Sequence, residues 1–299
     1  MIAFIFGLRI LLMSKLKKAL EKAREERVAG WEATNAEIKD TSSGDPLSPI
    51  GQSRNAQGEI RVTYSKTKVE NIAPATLKRN RIFSLFQEHE MTDEVKMLRT
   101  QILNKLKEID GNTLLITSAN PGEGKTFLTI NLGISIVQQL DRTVLLVDAD
   151  LRNPSKKHQN FSSDFLGIDI GKGLSDYLLG QAEISEILVN PGIERLTILP
   201  AGKPLPNSAE LLGSSRMEAL TKDIRNRYRS DRIILVDSPS LLCTDPIVLS
   251  SYVDGVLLVV EDEKTSADDI KRAMELLKDK PVIGTVLNKA KSEIRAAYV

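Results

Sequence analysis

The chain has 299 residues, with 41 Lys and Arg against 40 Asp and Glu for a net charge of +1. At roughly 150 residues per domain, that length by itself predicts two domains. With 41% hydrophobic, 27% charged and 4% aromatic residues there is apolar material for a large core, so a disordered polyelectrolyte and a porin are excluded, and the balanced charge argues against nucleic acid as a partner. One cysteine, Cys243, excludes an internal disulfide and a multi-cysteine zinc site, and His89 and His158 leave little for metal held by imidazole. A reducing, cytoplasmic compartment is the expectation.

In chain order, Ile2 to Leu12 are apolar apart from Arg9. The run is short of the roughly 20 residues of a membrane span, and no small-residue cleavage site follows it. Two readings stand, a true start at Met13 or a short apolar lead-in. From Ser14 onward Leu16, Ala19, Leu20 and Ala23 recur at helical spacing beside Lys17, Lys18, Lys22, Arg24 and Arg27, which predicts a short basic amphipathic helix within residues 1–39. Such a helix docks on an anionic membrane face or a partner, or it is a solvated tail, and the tail is the plainer reading. Residues 40–80 are predicted as a flexible linker: Ser, Gly, Pro, Asn and Gln dominate to about Gly58, and Val62, Val69, Ile72 and Leu77 are isolated apolar positions. The folded domain is expected over 81–299, one domain rather than two.

Beyond a helix expected around Thr92 to Ile109, six short apolar runs alternate with helical patterns: Thr113 to Ser118, Thr143 to Asp148, Leu196 to Leu199, Arg232 to Asp237, Gly255 to Val260 and Pro281 to Leu287. Continuous apolar runs indicate strands buried on both faces, so the predicted fold is α/β, a mostly parallel sheet flanked by helices. Ligands of such sheets sit beyond the carboxyl ends of the strands.

The first run leads into Ser118-Ala-Asn-Pro-Gly-Glu-Gly-Lys125-Thr126 and then an apolar helical stretch from Phe127, which is a P-loop with Ala119 in place of its first glycine. Gly122 and Gly124 let backbone N–H groups wrap phosphate oxygens, Lys125 neutralises the β and γ phosphates, and Thr126 offers a hydroxyl to Mg²⁺. Asp148 and Asp150 follow the second run and Asp237 closes the fourth. Carboxylates aimed from neighbouring strand ends at bound phosphates can hold Mg²⁺ directly or through water. The absence of Gly-x-Gly-x-x-Gly after the first run argues against a dinucleotide-binding oxidoreductase.

These motifs resemble those of the bacterial P-loop tyrosine kinases of capsule and exopolysaccharide biosynthesis. Ser118 to Thr126 is similar to that family's Walker A element, Val144 to Pro154 to its Asp-x-Asp-x-Arg-x-Pro element and Ile234 to Pro239 to its Walker B. Ser14 to Ala23 and the patch at Tyr64 look like the exosortase-associated autokinase branch. The related septum-positioning and partitioning ATPases carry a second lysine early in the P-loop, where this chain has Asn120 followed by Pro121.

The resemblance implies an ATP- and Mg²⁺-dependent protein-tyrosine kinase with Lys125, Asp148, Asp150 and Arg152 in catalysis. It implies nucleotide contacts by Asn120, Pro121, Gly122, Glu123, Gly124, Lys125, Thr126 and Phe127, with Asn288 at the adenine edge, and Mg²⁺ held by Thr126, Asp148 and Asp237. The implied partners are a membrane activator of the polysaccharide chain-length type, protein tyrosine substrates and further copies of the chain in a ring built on the Asp93, Lys96 and Arg99 helix. That places the protein in the cytoplasm, peripheral to the inner face of the plasma membrane. Lys96 departs from the family's arginine and loses its bidentate fork. Where many members carry a tyrosine cluster, the tail here has Tyr298 alone. The alternative expectation is a nucleotide-switched ATPase that acts as an assembly scaffold with little kinase activity.

Overall fold

The computed structural model describes residues 3–5, 50–54, 60–64, 67–85, 90–152, 165–168, 171–227 and 232–290. The basic helix expected from Ser14, the linker up to residue 49, His89, His158 and Tyr298 lie outside these. The strands are β1 (Ala3–Ile5), β2 (Ile50–Arg54), β3 (Ile60–Tyr64), β4 (Lys68–Val69), β5 (Thr113–Ser118), β6 (Thr143–Asp148), β7 (Val189–Asn190), β8 (Leu196–Leu199), β9 (Arg232–Asp237), β10 (Gly255–Glu261) and β11 (Val282–Asn288). Helices are α1 (Pro74–Arg79), α2 (Glu90–Glu108), α3 (Lys125–Val137), α4 (Leu174–Leu178), α5 (Ile184–Ile187), α6 (Ser208–Leu212), α7 (Ser215–Arg227), α8 (Asp245–Leu249) and α9 (Ala267–Leu276).

Nine strands form one sheet in the order β1-β11-β10-β5-β9-β6-β8-β7-β4. Its six central members, β11 to β8, are the six runs expected from the sequence, all mutually parallel. Every residue of β5, β6, β8 and β9 is buried, which explains why these strands are continuous in apolar character rather than alternating. Alternation reappears in three dimensions. Leu114, Ile116, Leu146, Leu235 and Leu257 pack under α2 and α3, whereas Leu115, Leu145, Val147, Ile234 and Leu258 pack with residues of α4, α6, α7, α8 and α9. In α2 the core face is Val95, Leu98, Ile102 and Leu106, spaced by three and four residues.

The sheet edges were not expected. Within the segment predicted as a linker, β2 and β3 pair antiparallel, β4 joins the main sheet parallel to β7, and α1 places Leu77 in the core at 7% exposure. These elements are too short to show a period. Long-range hydrogen bonds hold β4 and α1, from Glu70 N–H to the Asn190 carbonyl (2.8 Å) and from the Asn80 amide to the Phe165 carbonyl (2.8 Å). On the β4 side β7 pairs antiparallel with β8, and at the opposite edge β1 pairs antiparallel with β11. Among the described residues no helix is long and apolar enough to cross a membrane.

Candidate nucleotide site

The P-loop runs from the end of β5 into the start of α3, and two of its glycines occupy the left-handed region, Gly122 at φ 81° and Gly124 at φ 94°. At Gly124 a Cβ would fall 2.1 Å from Nδ2 of Asn288. The loop is held from outside at several points. Asn288 Nδ2 donates to the Glu123 carbonyl (2.8 Å), and Lys289 Nζ donates to the Gly122 carbonyl (2.8 Å) while pairing with Glu261 (3.0 Å). The Glu123 side chain, 1% exposed, accepts the Asn120 N–H (3.0 Å) and the Thr265 hydroxyl. With the Gly122 and Glu123 carbonyls engaged, the loop is left with N–H donors at a helix N-terminus, the arrangement that binds phosphate. Gly124→Ala is expected to destabilise the fold by about 1–3 kcal/mol, from left-handed strain plus displacement of Asn288, as measured by urea denaturation.

Sheet register explains the carboxylates. Asp148 and Asp237 are direct partners on adjacent parallel strands, so both side chains leave the same end of the sheet side by side. They are 6% and 1% exposed. Thr126 donates its hydroxyl to Asp237 Oδ2 (2.6 Å), the Ala149 N–H binds the Asp237 carbonyl (2.8 Å), and the Asp150 N–H binds Asp148 Oδ1 (3.2 Å). Burial pushes the Asp148 carboxyl well above the usual range, with the charges of Asp237 and Asp150 adding to the effect. Burial likewise raises Asp237 to about 7, against the pull of Lys125 and the Thr126 hydrogen bond. Paired, desolvated carboxylates that share one lysine have an excess of negative charge, and a divalent cation bound by Thr126, Asp148 and Asp237 would balance it. The donor set of hard oxygens fits Mg²⁺, and the glycine cradle fits a nucleotide phosphate.

Arg152 is committed elsewhere. Its Nε donates to Asp245 Oδ1 (2.7 Å), and the Ser208 hydroxyl donates to Asp245 Oδ2 (2.6 Å). Asp245 is 0% exposed, so this network joins the turn after β6 to the starts of α6 and α8 and thereby holds the loop that carries Asp150. In this structure Arg152 therefore positions that loop through Nε. Asp245→Ala, which strands Arg152 and the buried Ser208 without their acceptor, is expected to cost about 1–3 kcal/mol of stability in a denaturant titration.

A cleft of about 900 Å³ opens on the P-loop, and Gly122, Gly124, Lys125, Thr126, Asp150 and Asn288 are on its wall, as is Phe127. The structure thus brings together the P-loop, Asp148, Asp150 and Asp237 as expected. Asn288 also clamps the loop: it is 4% exposed, with Nδ2 on the Glu123 carbonyl and Oδ1 accepting the Lys289 N–H (2.9 Å). Sequence reasoning missed Lys289, Glu261, Thr265 and Thr129, whose hydroxyl lies 3.5 Å from Asp237 Oδ1. Thr129 sits one turn after Lys125 on the same helix and was the legible one. Of the expected ring helix, Lys96 pairs with Asp93 (3.0 Å), and Arg99 donates to the Ser135 carbonyl (2.7 Å). Cys243 is half-buried, donates to the Ser240 carbonyl (3.4 Å) and has a thiol raised by burial, the profile of an unreactive residue.

Fold and site together define a P-loop nucleotide-binding domain, and residues 114–298 match the CobQ/CobB/MinD/ParA nucleotide binding domain family. Tyrosine-protein kinase CpsD of Streptococcus agalactiae serotype Ia is 32% identical over 203 residues, covering 67% of this chain and 83% of CpsD. Tyrosine-protein kinase etk of Escherichia coli K12 is 30% identical over 209 residues, 69% of this chain, and the match spans only 27% of that relative's length. Among solved structures, the kinase domain of Escherichia coli tyrosine kinase ETK superposes with a TM-score of 0.62 at 26% identity, covering 75% of this chain and 91% of that domain. The VpsO kinase domain gives 0.58 at 30% identity, covering 68% and 96%. Within the P-loop class, the chain belongs to the bacterial tyrosine-kinase family.

Proposed function

We propose that the protein is an Mg·ATP-dependent protein-tyrosine kinase that phosphorylates itself or other proteins and regulates exopolysaccharide or capsular polysaccharide biosynthesis. The observation that carries this reading is the convergence of Lys125, Asp148, Asp150 and Asp237 on one end of the sheet, with Lys125 and Asp150 on the wall of one cleft. Bound Mg²⁺ would supply charge neutralisation at the phosphates. The P-loop N–H groups orient the triphosphate, and Lys125 balances charge on the transferring γ-phosphoryl. Asp150 accepts the proton of the tyrosine hydroxyl as its oxygen bonds to phosphorus and ADP departs. Phosphoryl transfer asks little more of a protein than this positioning and electrostatics.

The CpsD relative is named a tyrosine-protein kinase, which supports protein tyrosines as the acceptor class. In this reading Tyr298 is the tail acceptor, a membrane protein of the polysaccharide chain-length type is the activator, and the kinase works at the inner face of the plasma membrane. Self-assembly uses the α2 face that carries Asp93 and Lys96, with Arg99 bracing it against α3. Purified full-length protein with Mg·ATP and that membrane partner is expected to yield phosphotyrosine, detected by mass spectrometry. Nucleotide-dependent partner binding with no phosphotyrosine on either protein would instead establish the scaffold function.

A further inference from the structure

The cleft extends past the P-loop to a wall that belongs to neither the P-loop nor the carboxylate cluster. Its volume of about 900 Å³ is near the top of the roughly 300–1,000 Å³ range of small-ligand sites. Arg79, Arg81, Phe83, Met91 and Phe165 line the far side. Both arginines are exposed, and among the described residues neither has a carboxylate partner.

The part of this wall at residues 81–84 is tied to α3. Asn131 of α3, fully buried, accepts the N–H groups of Phe83 (2.9 Å) and Ser84 (3.2 Å) through Oδ1 and donates to the Arg81 carbonyl (3.3 Å). Phe83 meets Phe127, two residues after Lys125, edge to face at 6.2 Å. Arg81 itself adopts φ 57°, a left-handed conformation that costs a non-glycine residue free energy and persists only where surrounding contacts enforce it. Two cations beside an aromatic and thioether surface therefore stand on a braced backbone at the cleft whose wall also carries Lys125 and Asp150.

We propose that Arg79 and Arg81, with Phe83, Met91 and Phe165, form an acceptor subsite that selects tyrosines flanked by acidic residues. The inference rests on the kinase reading. The apolar side chains take the phenol ring, and the guanidinium groups pair with carboxylates on either side of it. Apart from Phe165, the subsite belongs to the segment ahead of the P-loop domain proper.

The test is binding of two labelled peptides, Glu-Glu-Tyr-Glu-Glu and Gln-Gln-Tyr-Gln-Gln, to the full chain saturated with a non-hydrolysable ATP analogue, followed by transfer assays with ATP. The wild type is expected to prefer the acidic peptide about tenfold, the size of two partly screened ion pairs, and to lose that preference at high salt. In R79Q/R81Q the ratio of the two affinities is expected to fall to about one. R79E/R81E is expected to prefer a Lys-flanked peptide, a gain that misfolding cannot mimic. No preference in the wild type, or a preference that survives both variants, overturns the subsite. Loss of nucleotide affinity in parallel with peptide affinity also overturns it, because the cations would then serve the phosphates. Acidic-peptide preference without any phosphotyrosine leaves the subsite standing and removes the kinase reading.

Discussion

Lys125→Met is expected to lower the rate of phosphotyrosine formation by about 100- to 1,000-fold, the loss seen when one preorganised electrostatic contact to a transition state is removed. Lys125 opens α3, so its ammonium acts together with the helix N-terminus, and both fall on the same developing charge. The methionine keeps the length and helix propensity of the side chain and so separates the charge from packing. Lys125→Arg is expected to rescue little, because a planar fork does not replace a compact ammonium inside a glycine cradle. Asp150→Asn tests the other wall of the cleft. Loss of its proton acceptor is expected to reduce kcat by about 100-fold or more, while nucleotide affinity falls much less. Steady-state transfer to a tyrosine peptide, paired with a fluorescent-nucleotide titration, separates the two variants. A Lys125→Met enzyme that keeps its transfer rate would place the reacting phosphoryl group away from this loop.

How far the sequence foretold this arrangement depends on the range of the interactions. The central strands were legible as short apolar runs rich in β-branched residues, unbroken in β5, β6, β8 and β9 because every residue there is buried. The P-loop was legible because its glycines are demanded locally by φ 81° and 94° at Gly122 and Gly124. The strand-end aspartates followed from the fold, since a parallel sheet brings Asp148 and Asp237 into register. What escaped depends on contacts between residues distant in the chain. Asn288 and Lys289 reach back 165 and 167 residues to the P-loop carbonyls, and Arg152 reaches forward 93 residues to Asp245. A motif identifies these side chains without saying which partner holds them. Asn288 was expected to face a base because its amide both donates and accepts, and those same two capacities are what clamp the loop. The edge strands escaped for another reason: two residues of β4 or β7 carry no period, and their pairing is imposed by the finished sheet.

Asp237→Asn is expected to abolish Mg²⁺-dependent transfer and, in the metal-free protein, to raise stability. Asp237 titrates at about 7 in the folded chain, against 3.8 ordinarily. Between those values the folded state retains a proton that the unfolded chain has released, so unfolding becomes easier as pH rises through this window. Below about pH 4 the group is protonated in both states and contributes nothing. Asp148 is displaced in the same direction by the same burial and by Asp237 itself, so removing one charge also eases the other. The melting temperature of Asp237→Asn minus that of the wild type is therefore expected to be near zero at pH 4 and to grow with pH. At pH 8 it should reach several degrees, equivalent to on the order of 1–3 kcal/mol. Taking the difference cancels the acid sensitivity of the remaining carboxylates. Mg²⁺ with nucleotide is expected to reverse the order, because the cation favours the ionised pair and stabilises only the wild type. A variant that melts at or below the wild-type temperature in metal-free buffer at pH 8 would mean that the paired carboxylates are already compensated, and the case for a divalent cation between Thr126 and these two strands would fall with it.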